Sequence, residues 1–279
     1  MWMKIAGLLV GIAVGIGGAG AAFAQNVTLA DIKSRGTVTV GTEAASFPFE
    51  FVENGKIVGY NKDILDRVVA SWHVKLNQLD VPFAGLLSGL DQGKYDFVAS
   101  NLFINPERAS RYAFTLPTAA VYMAMAKRKS DSRPITTDNM TGLVVGVAVP
   151  PSATHTMFVA LNGELAKQGK AAADMKMFQS SPEMFLALQN KQVDIVVLPL
   201  TSIMGAMRRL PDQFEVVGRF GAPNWTGWVT RPGDTMLREA INAELRKLRN
   251  SGELKSLQEK WFGFTMDIPD SGYLPAGAK

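Results

Sequence analysis

The sequence predicts an α/β protein made of two successive series of strands and helices. Short apolar runs typical of strands alternate with segments that repeat apolar residues at helical spacing, this alternation occurs twice, and a polar connection separates the two series. Strands that alternate with helices pair in a largely parallel sheet, because each helical crossover brings the next strand back in the same direction. We therefore expect two α/β units.

The first series begins at Thr37 and ends in the basic triplet Lys127-Arg128-Lys129. Its predicted elements are a strand at Thr37–Val40, a helix at Lys62–Val74, a helix at Pro82–Gln92, a strand at Tyr95–Ala99 and a strand at Val121–Ala126. Ser100 and Asn101 are predicted to end the fourth element. Asn105-Pro106-Glu107-Arg108 is typical of a helix start with proline at the first helical position.

The second series follows the polar connection 130–138. Its predicted elements are strands at Leu143–Val149, Met175–Phe178 and Val193–Leu198 and helices at Thr154–Lys167 and Pro182–Asn190. The glycine-rich segment 218–226 predicts a second linker. Two linkers imply that the chain leaves the first domain and returns to it, so we expect one lobe from 25–126 plus 225–279 and another from 127–224.

Composition and charge exclude several classes of protein. The chain has 29 basic and 25 acidic residues, a net charge of +4, and its densest basic cluster is only the triplet at Lys127. A nucleic-acid-binding protein would carry a larger basic patch, so we expect no nucleic-acid partner. The sequence has no cysteine, which excludes disulfides, thiolate metal sites, a cysteine nucleophile and a lipid-modified cysteine anchor.

The N-terminus predicts an exported protein. One lysine precedes an apolar run that ends in Ala22-Phe23-Ala24, the pattern of a signal peptide at 1–24 cleaved after Ala24. The alternative is an uncleaved membrane anchor, since the run approaches the roughly 18 residues that can span a bilayer. The simplest expectation is a soluble periplasmic protein, and we expect a monomer.

Several blocks, in order, resemble the extracytoplasmic solute-binding proteins of polar amino-acid ABC importers. The blocks are Val38-Thr39-Val40-Gly41-Thr42-Glu43, Phe47-Pro48-Phe49-Glu50, Gly55-Lys56-Ile57-Val58-Gly59-Tyr60, Gly93-Lys94-Tyr95-Asp96-Phe97, Asn105-Pro106-Glu107-Arg108 and Lys260-Trp261-Phe262-Gly263. The resemblance implies a type II periplasmic-binding fold, with two lobes joined by a two-strand hinge. It also implies a small solute held between the closing lobes and a membrane permease as the partner.

The resemblance implies that Arg108 pairs with the α-carboxylate of the ligand, which suits its planar fork of donors. The residues alone leave open a surface arginine tied to Glu107 or Asp96. Ser100 and Asn101 match positions that hold the polar end of the ligand, although any turn after a strand favours such residues.

Further matches concern an acid and three aromatic residues. Glu43 matches an acidic position that faces the cleft and would suit an amino-bearing ligand. Phe83 matches an aromatic residue of the family that stacks on the ligand. The family usually has an aromatic residue at the position of Ser46, and here the neighbouring Phe47 is aromatic instead. Phe103 stands where the family usually has a serine or threonine. Packing in the core is the alternative for Phe47 and Phe83.

The second lobe matches the family less well. Its hydroxyl-bearing loop falls on Pro150-Pro151-Ser152, with Thr154 just beyond, and prolines supply no backbone donors. The aspartate that takes the α-ammonium of the ligand falls on Pro199, with Thr201 as the nearest polar residue. The ammonium half of the site is therefore missing or rebuilt from Glu43.

The predicted function is capture of a small carboxylate solute, an amino acid or a close derivative, for an ABC importer. The sequence offers no nucleophile–base pair, phosphate loop or metal cluster, and neither histidine has neighbouring ligands, so we expect no cofactor, metal or catalytic residue. The alternative is an enzyme on the same fold, similar to cyclohexadienyl or arogenate dehydratases, with Glu43 or His155 as its acid.

Overall fold

A computed structural model describes residues 26–150 and 152–279; the predicted signal peptide at 1–24 lies outside these residues. The helices are α1 (Leu29–Arg35), α2 (Tyr60–Trp72), α3 (Phe83–Asp91), α4 (Pro106–Arg111), α5 (Ala153–Lys167), α6 (Ser181–Gln189), α7 (Leu200–Arg209), α8 (Thr235–Asn250) and α9 (Glu253–Phe262). The strands are β1 (Thr37–Thr42), β2 (Ala45–Ser46), β3 (Glu50–Glu53), β4 (Lys56–Val58), β5 (Lys75–Asp80), β6 (Phe97–Phe103), β7 (Ala113–Arg128), β8 (Val144–Ala148), β9 (Asp174–Phe178), β10 (Ile195–Pro199) and β11 (Phe214–Thr230).

One eight-stranded sheet runs through the described chain in the order β5-β1-β6-β11-β7-β10-β8-β9. The three strands at each end of this order pair in parallel, and the pairs that involve β7 and β11 are antiparallel. A separate antiparallel sheet joins β2, β3 and β4. The prediction of a mixed, mostly parallel α/β architecture is confirmed.

The two long strands at the middle of the sheet pair with each other from Ala113 and Thr230 at one end to Arg128 and Phe214 at the other. Residues 218–226, which are predicted to connect the two lobes, lie within β11 rather than in an irregular segment. Glycine and proline are tolerated there because the register shifts along β11, including between Phe220 and Asn224, and such irregularities accommodate residues that weaken a regular strand.

Buried side chains form separate clusters in the two halves of the sheet. In the first half, α1, α2, α8 and α9 cover one face and α3 and α4 cover the other. In the second half, α5 packs on one face and α6 and α7 on the opposite face. Because each half covers both faces of its own strands, the two halves have their own cores and share β7 and β11.

The chain after α9 forms a surface strap without helix or strand. Met266 is buried in the first core, and the backbone N–H of Lys279 donates to the carbonyl oxygen of Ala109 in α4 at 2.8 Å. Lys279 thus fastens the strap to the short helix that carries Arg108. Within the described residues, no helix has both the length and the apolar character needed to cross a membrane.

Candidate ligand-binding cleft

The carboxyl ends of the parallel strands in the two halves point towards each other. At the end of β6, Phe103 pairs with Thr226, which pairs in turn with Ala119 of β7. From the opposite direction, the end of β10 reaches β7 where Pro199 pairs with Met123. Ligands of open α/β sheets bind beyond the carboxyl ends of strands, so the middle of β7 marks the candidate cleft.

The loop after β1 forms one wall of this cleft. The backbone N–H of Glu43 donates to the hydroxyl oxygen of Ser100 at 3.3 Å, and the N–H of Ala44 donates to the carboxylate of Asp80 at 2.9 Å. The Glu43 side chain is half-buried, and burial together with the Asp80 charge raises its pKa. A cation bound here would relieve both effects.

Ser100 and Asn101 lie on β6, and the prediction that they end this strand is wrong. The strand continues to Phe103 because β11 supplies a pairing partner, Thr226, which a local turn preference cannot anticipate. Ser100 is 2% exposed, so its hydroxyl is committed to protein groups rather than open to the cleft. The hydroxyl donates to the carboxylate of Glu50 at 2.7 Å.

Glu50 is a fully buried acid at the start of β3 that accepts three hydrogen bonds. Besides the Ser100 hydroxyl, the backbone N–H of Asn101 donates to its Oε1 at 2.7 Å, and the side-chain amide of Asn61 donates to its Oε2 at 2.6 Å. The indole N–H of Trp228 donates to the other side of Asn61 at 3.4 Å. One carboxylate therefore joins β3, α2 and β6.

The pKa of Glu50 is raised from 4.5 to about 7, chiefly because burial penalises the charged form. The three donors partly offset this shift, and the negative charge of Glu43 adds to it. Glu50 is not among the site residues predicted from the sequence. The available signal was its place directly after Phe47-Pro48-Phe49, since an acid that follows an apolar run is expected to need buried partners.

Arg108 lies in α4, whose start follows the predicted pattern. The side chain of Asn105 accepts from the backbone N–H of Arg108 at 2.9 Å, and Pro106 occupies the first helical position. The guanidinium donates to the carbonyl oxygen of Phe103 at 3.2 Å and lies 5.4 Å from the ring centre of Phe83. The alternative pairing with Glu107 or Asp96 is not observed, and across 26–150 and 152–279 no carboxylate forms an ion pair with Arg108.

The half-buried position of Arg108 lowers its pKa through desolvation, yet the guanidinium remains protonated at physiological pH. Phe83, the first residue of α3, is 47% exposed, and its ring lies beside this cation. Phe103 is partly buried against the first core. The arginine therefore has one aromatic neighbour, one carbonyl partner and unused donors.

Phe47 lies apart from these residues and contacts the second half of the molecule. Its ring packs so closely on α7 that a Cβ at Gly205 would lie 2.7 Å from it, and the guanidinium of Arg209 lies 4.5 Å from its centre. The ring edge also meets Phe51 at a centroid distance of 4.9 Å. Phe47 contributes to a groove of about 350 Å³ between α6 and α7 and bridges the two halves.

The predicted residues of the second half lie at the ends of β8 and β10, which are paired strands. Ser152 caps α5: its hydroxyl accepts from the N–H of His155 at 3.2 Å and donates to the carbonyl of Ala148 at 3.1 Å. Thr154 is buried and accepts from the N–H of Ala148 at 3.3 Å. Thr201 is buried in the first turn of α7, directly after Pro199.

The structure thus brings the predicted residues together in three groups. Glu43, Ser100 and Asn101 form the first, Arg108, Phe83 and Phe103 the second, and Ser152 and Thr154 the third, with Thr201 on the neighbouring strand end. No cluster of three metal-ligating side chains occurs in the described part of the chain.

The family model of bacterial extracellular solute-binding proteins, family 3, matches residues 38–264. The chain belongs to this family. The L-cystine-binding protein TcyJ of Escherichia coli (strain K12) is 25% identical over 243 residues, which cover 86% of this chain and 88% of TcyJ. The glutamate/aspartate import solute-binding protein of Salmonella typhimurium is 25% identical over 270 residues, covering 93% of this chain and 86% of that protein.

Solved structures share the architecture. The unliganded, open L-cystine solute receptor of Neisseria gonorrhoeae is 20% identical with a TM-score of 0.72, covering 87% of this chain and 100% of that one. Substrate-binding domain 2 of Lactococcus lactis GlnP, also open, is 19% identical with a TM-score of 0.73, covering 83% and 97%. The two-lobed type II periplasmic-binding fold is confirmed, and the chain is an extracytoplasmic solute-binding protein. The relatives named above are binding proteins rather than enzymes.

Proposed function

We propose that this solute-binding protein captures an amino acid, or a close derivative, for an ABC importer, and that Arg108 binds the carboxylate of the ligand. Relatives named for L-cystine, glutamate/aspartate and arginine support an amino acid as the ligand class. The observation that carries the proposal is the guanidinium of Arg108, which lies beside a strand end of the cleft with most of its donors unused.

The surroundings of Arg108 suit a small anion. The carbonyl of Phe103 and the ring of Phe83 fix the guanidinium on one side, so little side-chain entropy is lost when a ligand binds on the other. A carboxylate can take two parallel hydrogen bonds from such a fork. Partial burial strengthens this pair because the local dielectric constant is lower than in water.

The ammonium group of the ligand is assigned to Glu43. Pro199 offers no acid at the end of β10, whereas Glu43 is half-buried beside Asp80, with its pKa raised by burial and by that charge. A bound ammonium would lower the cost of keeping Glu43 ionised. This arrangement places both charged ends of the ligand on the first lobe.

The second lobe would close over the ligand by bending and twisting of β7 and β11. We place the lobe boundaries at 25–126 plus 225–279 and at 127–224, supported by the separate cores on either side of the middle of β7. The hydroxyls of Ser152 and Thr154 and the start of α7 at Thr201 would then contribute from across the cleft. We also propose that the signal peptide is cleaved after Ala24, that the protein is a monomer and that its partner is a specific membrane permease.

A thermal-shift screen of the mature protein tests the ligand class. We expect stabilisation by one or more of L-cystine, L-arginine, L-glutamate and L-glutamine, and a weaker effect from the matched acids without an amino group. Stabilisation by keto acids or aromatic carboxylates, and by none of the amino acids, would remove the amino-acid assignment.

Calorimetry of the Arg108→Ala variant tests whether Arg108 binds the ligand. Loss of a charge-assisted hydrogen bond of about 1.5 to 3 kcal/mol predicts affinity roughly 10- to 150-fold weaker. The matched control is Arg111→Ala on the same helix, whose exposed side chain lies 3.9 Å from Asp91 and should leave affinity unchanged. Equal affinities of Arg108→Ala and the control would place Arg108 outside the site.

A further inference from the structure

Glu50 has a place in the molecule that the proposed site does not use. It is 0% exposed, yet it belongs to the segment between β1 and β4 that carries Glu43 at one end. Its carboxylate accepts hydrogen bonds from the hydroxyl of Ser100 and the backbone N–H of Asn101, and the Ser100 oxygen accepts one from the N–H of Glu43. The two cleft walls on the first lobe are therefore joined through one buried acid.

We propose that Glu50 is a positioning residue of the ligand site, whose ionised carboxylate holds the Glu43 loop and the Ser100–Asn101 segment in their binding geometry, so that ligand affinity depends on one proton. This inference rests on the proposed function. Glu50 does not contact the ligand itself; it acts through Ser100, Asn101 and the backbone of Glu43.

The hydrogen-bond pattern favours the ionised form. Glu50 meets three donors, from Ser100, Asn101 and Asn61, and a carboxylate is an acceptor at every position. Hydrogen bonds to a charged oxygen are roughly twice as strong as neutral ones. Loss of the charge therefore weakens three contacts at once, two of which hold the β6 segment of the cleft.

The direction in which a proton would enter is also fixed. Asn61 presents its N–H₂ group to Oε2 of Glu50 while its oxygen accepts from Trp228, so Asn61 cannot turn without losing that partner. Oε1 already accepts two hydrogen bonds and Oε2 only the one from Asn61, so the free lone pair that can take the proton is on Oε2. The three bonds keep their directions, but the donors of Ser100 and Asn101 then face a neutral carboxyl group and their hydrogen bonds weaken.

The charges around Glu50 determine whether ligand binding releases or takes up a proton. Glu43 on the loop after β1 is the charge that acts on Glu50, and Asp80 at the end of β5 acts on Glu43. The groups that contact Glu50 from α2 and β6, and Trp228 of β11 behind Asn61, are neutral. A ligand ammonium beside Glu43 would favour ionised Glu50, so binding should release a proton.

Burial raises the pKa of Glu50 to about 7, which places the transition in an accessible range. If only the ionised form binds, the competent fraction rises from about one tenth to about nine tenths between pH 6 and pH 8, and the apparent affinity rises about tenfold. Above pH 8 the affinity should level off. At pH 7 about half a proton should be released for each ligand bound.

Calorimetry on the full chain tests the proposal, with L-arginine and L-cystine as probes at pH 6, 7 and 8. Titrations at pH 7 in phosphate and in Tris, which differ in ionisation enthalpy, count the protons released. Three proteins are compared: the wild type, Glu50→Gln and the matched control Glu53→Gln, which removes an exposed acid from the same strand. We expect a tenfold rise and proton release in the wild type and the control, and a flat profile in Glu50→Gln.

A wild-type profile that matches that of Glu50→Gln would overturn the proposal. If Glu50→Gln does not fold, the proton count on the wild type decides alone: no release at pH 7 contradicts the inference. His155→Gln should keep the wild-type profile, because His155 takes no part in the hydrogen bonds that Glu50 accepts. Absence of binding of either probe, and of every amino acid in the screen, would instead refute the proposed function.

Discussion

Replacement of Glu50 by glutamine should remove a large part of the pH dependence of the unliganded protein's stability. The pKa of Glu50 is about 7 in the folded state against 4.5 for the free side chain. Each pKa unit corresponds to about 1.4 kcal/mol, so keeping this acid ionised costs the folded state roughly 3 kcal/mol in total. Donors from Ser100, Asn101 and Asn61 reduce the penalty without cancelling it.

The sign follows from proton binding. Between pH 4.5 and about 7 the folded state holds more protons on Glu50 than the unfolded state does. Stability from this group is therefore fully present below the unfolded pKa and is lost as pH rises through the folded pKa. From pH 5 to pH 8 the free energy of unfolding should fall by about 2 to 3 kcal/mol through this one residue.

Urea unfolding at half-unit steps from pH 5 to pH 8 measures the effect. The quantity to compare is the slope with pH in the wild type, Glu50→Gln and Glu53→Gln. Absolute stability is not the readout, because the glutamine amide would face the donor of Asn61. Equal slopes in the wild type and Glu50→Gln would refute the reasoning, since all other titrating groups are shared.

Two further substitutions test local geometry. Gly59→Ala should destabilise the protein by about 3 kcal/mol or more, because its φ of 129° is unfavourable for other residues and a Cβ would collide with a backbone carbonyl. The control is Gly55→Ala, where φ is 72° and the space is open. This variant should cost only about 1 kcal/mol in the same urea measurement. Gly205→Ala should cost about 1 to 3 kcal/mol by displacing the ring of Phe47, but little in a Phe47→Ala background. Gly163→Ala, on α5 in open space, should be neutral or stabilising, and a Gly205→Ala cost that persists without Phe47 would contradict the contact.

The helices α2, α3, α5 and α6 could be predicted because local patterns determine them, whereas α1 and α7 were not predicted. The start of α4 at Asn105 and Pro106 depends on residues that are adjacent in sequence, and so does its cap. The full lengths of β7 and β11 could not be predicted in this way. The glycine-rich stretch of β11 is held in a strand by long-range pairing with β7, for example of Trp225 with Ala120. No short window of the sequence contains both partners.

The sequence indicated where the candidate site residues lie better than it indicated what their side chains contact. Arg108 lies where the pattern indicated, with unused donors, whereas Ser100 proved buried and bonded to Glu50. That bond links residues separated by fifty positions, so only the folded chain brings them together. Phe47 similarly contacts Gly205 of α7, which is far away in the sequence, and composition and spacing could not indicate this contact.

The fastening of Lys279 to Ala109 has a practical consequence for anyone who labels this protein. A purification tag or fluorescent fusion placed after Lys279 would emerge beside the helix of Arg108. Affinities measured on such a fusion would mix the effect of the tag with that of the ligand.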